Sequence, residues 1–314
     1  MGAVVRSMVE GDRAEARRIC RTAFGTFLGA PDLETFWSDH DYIYGRFGAE
    51  HVLSFTAELD GEVVGSNFAT RWGSVGFFGP LTTRPDLWNR GLAQPLVRAV
   101  SDAFDGWRVG HAGLCTFPHS PKHLHLYQKF GFYPRFLTAL MAAPARPAGT
   151  AQRWARYSQL PPSDRDAVEA ACREVTEAVY EGLDLGPEIR TATARGLGDT
   201  LLLWNGASRV AGFAVCHWGP TSEAGAGNCY VKFGAVRPGP RGSEDFAALL
   251  EAGRALAASV AMPNLLAGVN LGREEAYRYM ASQDFRTEMQ VVTLHRPNDW
   301  GYSRPGLFVL DDWR

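Results

Sequence analysis

Residues 84–97 read RPDLWNRGLAQPLV. They follow a β-like run, residues 74–83 (SVGFFGPLTT), and lead into an amphipathic run that ends near Arg108. A chain that leaves a strand, turns through Asn89-Arg90-Gly91 and enters a helix on small residues has two readings. One is plain helix entry. The other is a pocket of backbone N–H groups for a phosphate. The first N–H groups of a helix lack partners and its dipole is positive there, so a diphosphate can accept several bonds at once. Gly91 and Ala93 would let the backbone approach the oxygens.

Outward from this turn, the first half reads as alternating elements. Residues 3–8 are strand-like and 10–28 helical, with apolar residues at helical spacing. Residues 31–47 read as a second, aromatic-rich helix. Residues 51–59 and 62–72 form a hairpin across Asp60-Gly61, a favoured two-residue turn. Residues 74–83 join that sheet. Residues 91–108 form a helix with Leu92, Leu96, Val97, Val100 and Phe104 on one face, and 109–117 a strand. Ser120-Pro121 starts another helix as N-cap and first residue. It ends at Gly131, and residues 132–141 form a last strand.

The pattern then returns. RPGPRGSEDFAALLEAG begins at Arg237, an offset of 153 from Arg84. At the same offset HAGLCTF from His111 meets NLLAGVN from Asn264, and Phe132 meets Phe285. Three features in register over some fifty residues mark an internal repeat. The second half reads as a helix over 164–183, a hairpin around Asn205-Gly206, and a strand over 228–236. A helix over 243–261, a strand over 265–269, a helix over 273–282 and a strand over 287–295 follow. The Pro/Ala/Gly-rich residues 142–152 serve as the connection. The organisation expected is 1–144, a linker at 145–157, 158–296, and a tail at 297–314. The tail's Trp300, Tyr302, Phe308 and Trp313 suit docking.

The bulk numbers agree with a packed protein of two such units. The chain has 314 residues, 46% hydrophobic and 21% charged, with a formal net charge of −2. That balance gives no footprint for nucleic acid or an anionic membrane. Five dispersed cysteines without a CxxC pair read as reduced thiols in a cytoplasmic protein. No apolar run reaches a membrane span, and no signal-peptide core is present. MGAVVRS superficially fits an acylation pattern but reads as a first strand. Arg in place of Lys, with abundant Ala and Gly, suggests a GC-rich bacterial source.

The order helix–helix–β–β–β–turn–helix–strand–helix–strand resembles the GNAT superfamily of N-acetyltransferases. The family's loop Gln/Arg-x-x-Gly-x-Gly/Ala is matched at Gly91 and Ala93 and departs at Trp88. Its later leucine-tyrosine-x-lysine-x-glycine-phenylalanine signature resembles Leu126-Tyr127-Gln128-Lys129-Phe130-Gly131-Phe132. The resemblance implies two tandem α/β (α+β) domains, each a mixed, mostly antiparallel twisted sheet flanked by helices. It implies acetyl-CoA, or another short acyl-CoA, held by Leu81, Thr82, Thr83, Trp88, Asn89, Arg90, Gly91, Leu92, Ala93, Ser120 and Tyr127. At the 153 offset Gly91 becomes Glu244 and Ala93 becomes Phe246, so the first half is expected to hold the donor. The second reads as a degenerate copy that completes the sheet, shapes the acceptor cleft or mediates dimerisation.

The chemistry implied is direct attack of a neutral amine on a thioester. Tyr127 matches the family's acid for the leaving sulfur, and a phenol of pKa ~10 suits that role. The general base is not evident, because residues 62–83 carry no carboxylate beyond Glu62. Candidates are Asp39, His40, Asp41 and His119. Trp37, Asp39, Asp41, Tyr42 and His119 are the candidate acceptor residues, since carboxylates among aromatics suit a cationic amine. His123 and His125 are two apart on a helix and face different ways, so no metal is expected. Cys115 reads as a small buried hydrophobe. The leading reading is N-acetylation of a small-molecule amine: an amino sugar, antibiotic, amino acid or biosynthetic intermediate. A CoA-binding module without turnover and a protein N-acetyltransferase are the alternatives, and a homodimer is left open.

Overall fold

The computed structural model describes residues 3–147, 149, 153–206 and 209–314. In chain order the elements are β1 (Val4–Ser7), α1 (Arg13–Leu28), β2 (Val52–Leu59), β3 (Glu62–Trp72), β4 (Val75–Phe78), β5 (Thr82–Thr83) and α2 (Ala93–Trp107). Then come β6 (His111–Thr116), α3 (Pro121–Gln128), β7 (Tyr133–Pro144), β8 (Trp154–Arg156), α4 (Pro162–Val179) and α5 (Gly186–Ala194). The rest are β9 (Gly198–Asn205), β10 (Arg209–Gly219), β11 (Gly225–Val236), α6 (Gly242–Ser259), β12 (Asn264–Asn270), α7 (Glu274–Ser282), β13 (Arg286–Arg296) and β14 (Val309–Leu310).

Local chemistry explains most boundaries. Asp60 and Gly61 both take positive φ, 52° and 83°, as a two-residue hairpin turn requires. Pairing of Leu59 with Glu62 follows directly. Helix α1 buries Ala16, Ile19, Cys20 and Ala23 along one face, and α2 buries Leu96, Val97, Val100 and Phe104. Each of the larger side chains in α2 contributes about 1.5–3 kcal/mol on burial.

The expected helix over 31–47 does not form. Those residues are a string of turns. Asp32 accepts from the Glu34 amide at 2.9 Å, and Asp41 accepts from the amides of Ile43 and Tyr44 at 2.9 and 2.8 Å. Such side-chain bonds offer the backbone an alternative to helix. Helix α5 was not expected; the single helix over 164–183 is instead α4, followed by a break and α5. Within the expected linker, residues 154–156 form strand β8, while 148 and 150–152 lie outside the described residues. So do Met1-Gly2 of the acylation-like start and positions 207 and 208 of the second hairpin turn.

All the strands belong to one sheet, whose main path runs β1-β2-β3-β4-β6-β13-β7-β12-β11-β10-β9-β8. The two halves trade their last strands. Strand β13, from the second half, lies between β6 and β7, and β7 of the first half pairs with β12 of the second. The repeat therefore yields a continuous sheet.

Two parallel pairs interrupt this mostly antiparallel sheet, at equivalent places. In the first half β4 pairs with β6 only from Val75–His111 to Phe77–Gly113. The chain then turns through Gly79-Pro80 to β5, which pairs with β3. In the second half β11 pairs with β12 from Asn228–Asn264 to Val231–Ala267. Beyond each parallel pair the strands separate, leaving a wedge.

Candidate active site

The first wedge opens into a cleft of about 880 Å³, within the ~300–1,000 Å³ usual for ligand pockets. Its walls are the turn after β4, the end of β6, the loop before α2, and α3. The sequence-derived donor residues Leu81, Thr82, Thr83, Trp88, Asn89, Gly91, Leu92, Ala93, Ser120 and Tyr127 all line it. Arg90 does not; it points outward and is exposed.

The loop has the geometry of an anion cradle. Asn89 and Gly91 take positive φ, 69° and 79°. A Cβ on Gly91 would meet nothing in the protein closer than Gln94 Nε2 at 3.9 Å, so the backbone angle, not crowding, calls for glycine. Among the described residues, the amides of Asn89, Arg90, Gly91 and Leu92 donate to no backbone carbonyl. Four adjacent N–H groups at a helix entrance suit a diphosphate. Trp88 donates its indole N–H to the Thr83 carbonyl at 3.0 Å and so faces back onto β5.

Tyr127 is 6% exposed, packed edge-on against Phe78 at 5.7 Å between ring centroids. Burial raises its phenol above the ordinary value, with Cys115 adding to the rise and the Thr116 hydroxyl opposing it. It therefore stays protonated at neutral pH, as an acid must. The neighbouring Cys115 thiol is pushed up to about 12, chiefly by burial. Few thiolates form at such a site, which disfavours a covalent acyl-cysteine.

Another wall of the cleft is formed by Phe24, Phe27, Trp37, His40, Tyr42 and Phe117. Trp37 and Tyr42 were among the sequence candidates; Asp39, Asp41 and His119 do not line the cleft. Asp39 takes His40 Nδ1 at 2.7 Å and the Ala226 amide at 2.9 Å, clamping the turn to the second half. Asp41 caps the turn at Ile43 and Tyr44 and lies 3.4 Å from Arg17. His119 stacks on Phe27 at 5.7 Å.

Sequence reasoning missed the floor. It comes from the exchanged strands and the tail: Leu140 on β7, Leu266 on β12, Met289 and Val291 on β13, then Asp312, Trp313 and Arg314. Asp312 holds the Arg314 guanidinium at 2.7 Å and accepts from Tyr230 at 2.8 Å. The signal available in sequence was the aromatic tail, of which Tyr302 and Trp313 are buried while Trp300 is 47% exposed.

Below the floor, the two halves are joined by a buried ionic cluster that no motif announced. Arg46 and Lys232 grip Glu223 at 2.7 and 2.8 Å, and both donate to the Arg314 carbonyl, at 2.6 and 2.9 Å. His51 and Trp72 hold Glu188 at 2.9 and 3.0 Å. Burial alone would raise the Glu188 carboxyl; His51, with Lys232 and His217 beyond, brings it down to about 2. Glu223 is likewise held well below the usual range by Arg46 and Lys232, against its own desolvation. A cavity of about 20 Å³ among them has room for about one water.

Among the described residues, no group of three or more His, Cys, Asp or Glu is placed for a metal, all cysteines are free, and no helix is long and apolar enough to cross a membrane.

Residues 19–132 match the model of the acetyltransferase (GNAT) family. No curated protein matches the chain in sequence. The whole fold is shared with a proposed acetyltransferase of Pyrococcus horikoshii, at 14% identity and a TM-score of 0.69, covering 100% of this chain and 95% of that one. A GCN5-related N-acetyltransferase of Sphaerobacter thermophilus is similar at 15% identity and TM-score 0.58, over 93% and 95% of the two chains. A tandem GNAT protein from the clavulanic acid biosynthesis pathway is similar at 10% identity and TM-score 0.56, over 93% and 98%. Residues 19–132 thus resemble the acetyltransferase (GNAT) family, and the chain as a whole shares its fold with solved acetyltransferases that include a tandem GNAT protein.

Proposed function

We propose that the chain transfers a short acyl group, acetyl in the first instance, from CoA to the primary amine of a small molecule, and that only the first wedge does so. The observation that carries this reading is the combination, in one cleft, of four unpartnered amides at Asn89–Leu92 with the buried, protonated Tyr127.

The amides of the loop would hold the diphosphate, and the free side of Thr82–Thr83 would meet the pantetheine amides. A bound acyl-CoA supplies the activated acyl group. The amine nitrogen forms the new C–N bond as the C–S bond breaks. The amine loses one proton to water, and Tyr127 donates one to the leaving sulfur. The aromatic wall at Phe24, Trp37 and Tyr42 would orient the acceptor, and orientation itself supplies much of such a rate enhancement. Of the candidate bases Asp39, His40, Asp41 and His119, His40 lines the cleft, and water can carry the amine's proton away.

A small acceptor is favoured over a protein segment because the second half and the tail close the floor of the cleft. The test is release of free CoA thiol from acetyl-CoA across a panel of small amines and N-terminal peptides. Turnover confined to small amines is expected. Turnover on peptides alone would replace this reading with protein acetylation, and binding without turnover would leave a CoA-binding module.

A further inference from the structure

Resting on the reading of the cleft as an acyl-CoA site, we propose that Lys122, on the first turn of α3, is the cation of the donor's diphosphate site. It would supply from across the cleft the positive charge that the loop itself lacks.

The loop carries tryptophan where the family pattern has Gln or Arg, and the Trp88 indole is turned back to the Thr83 carbonyl. Arg90, the loop's own cation, does not line the cleft. Lys122 stands on the other wall and reaches over. Its Nζ is 2.6 Å from Asn89 Oδ1 and 5.9 Å from the centre of the Trp88 ring. It therefore lies above the residue that begins the run of unpartnered amides. Asn89 is exposed, and a neutral amide oxygen is a weak partner for an ammonium in water. A phosphate oxygen forms a stronger, charge-assisted bond and would displace it.

The rest of α3 supports the assignment. Lys122, His125 and Lys129 are spaced i, i+3, i+7, on one helix face, and all three line the cleft. The carboxylates that line it, Glu288 and Asp312, belong to β13 and the tail, and Asp312 is already bonded to Arg314. Nothing acidic in the lining competes for the donor's phosphates at the loop or α3.

The experiment is isothermal titration of the wild type, Lys122→Ala and Lys122→Arg with acetyl-CoA, its 3′-dephospho form and S-acetyl-pantetheine. Lys122→Ala should weaken acetyl-CoA and the dephospho form alike, about 10- to 100-fold, as expected for a hydrogen bond to a charged group. S-acetyl-pantetheine should bind both proteins within about twofold, and Lys122→Arg should restore most of the loss. Unchanged acetyl-CoA affinity in Lys122→Ala, an equal loss for S-acetyl-pantetheine, or a loss that disappears with the dephospho form would each overturn the assignment. A wild type that binds no acetyl-CoA would instead overturn the acyl-CoA reading.

Discussion

The two wedges of this molecule share a topology and differ in what fills them. In the first, the strands part after Phe77 and Gly113, and the gap is a cleft. In the second, they part after Val231 and Ala267, and the tail enters. Strand β14 pairs with β11 at Gly234 and Ala235, and the Asp311 amide donates to the Gly268 carbonyl at 3.0 Å, so the tail bridges both sides of the gap. A Cβ on Gly268 would come within 2.5 Å of Asp312 Cβ. The peptide strand takes there the backbone groups that a ligand would use in an open wedge.

The loops diverge in the same way. The helix α6 begins at Gly242, so Glu244 and Asp245 fall in its first turn and favour its dipole. Phe246 is fully buried, against Phe308 of the tail at 5.1 Å. The turn before the helix contains Pro238 and Pro240, which have no N–H to offer. Of the two equivalent wedges of the repeat, the second is filled by the tail and by core side chains. The lesson is that sequence identity of a wedge is read less from its strands than from what competes for their unpaired edges.

This contrast can be broken at several points. The largest effect is expected at Tyr127. Tyr127→Phe should lower kcat about 10²- to 10⁴-fold, the usual range for a lost acid, while acetyl-CoA affinity stays constant. A wild-type kcat would move the chemistry away from the first wedge. Phe246→Ala should cost about 3–5 kcal/mol in urea unfolding without adding a CoA site, because the ring is core. Little loss, or a second site in titration, would show the second wedge to be merely covered. Next, writing the second loop's acid into the first, Gly91→Glu, should weaken acetyl-CoA by about 100-fold or more. It brings a carboxylate to the phosphates and a side chain to a φ of 79°. Its mirror, Glu244→Gly, should leave binding unchanged and cost about 1 kcal/mol as a helix glycine.

The smallest effect is one of pH. Glu188 and Glu223 ionise more readily in the fold than the ~4.3 of a free glutamate. Their contribution is therefore complete above that value and is lost as pH falls toward the folded value, about 2 for Glu188. Thermal unfolding should show the melting temperature falling steeply below about pH 4.3, and Glu188→Gln should flatten that slope. An unchanged slope would mean the cluster does not join the halves energetically.

Much of the first wedge was legible because local chemistry fixes it. Gly91 needs its positive φ, Asp60-Gly61 closes its hairpin, and Ser120-Pro121 begins α3 as a capped helix with Ser120 accepting from the His123 amide. What depended on distant partners was not. The strand exchange was invisible because β7 and β13 have equivalent patterns, and either can pair with either half. The aromatic run at 31–47 read as helix because its apolar residues are dense; Asp32 and Asp41 instead tie it into turns. The floor at Asp312–Arg314 and the Arg46–Glu223–Lys232 cluster join residues far apart in sequence, with no spacing to betray them.

The most direct measurement is the stoichiometry of acetyl-CoA binding by isothermal titration, on the wild type and on Gly91→Glu. One site per chain, abolished by Gly91→Glu, is the outcome expected of one open wedge and one filled. Two sites, or one site that survives Gly91→Glu, would contradict it.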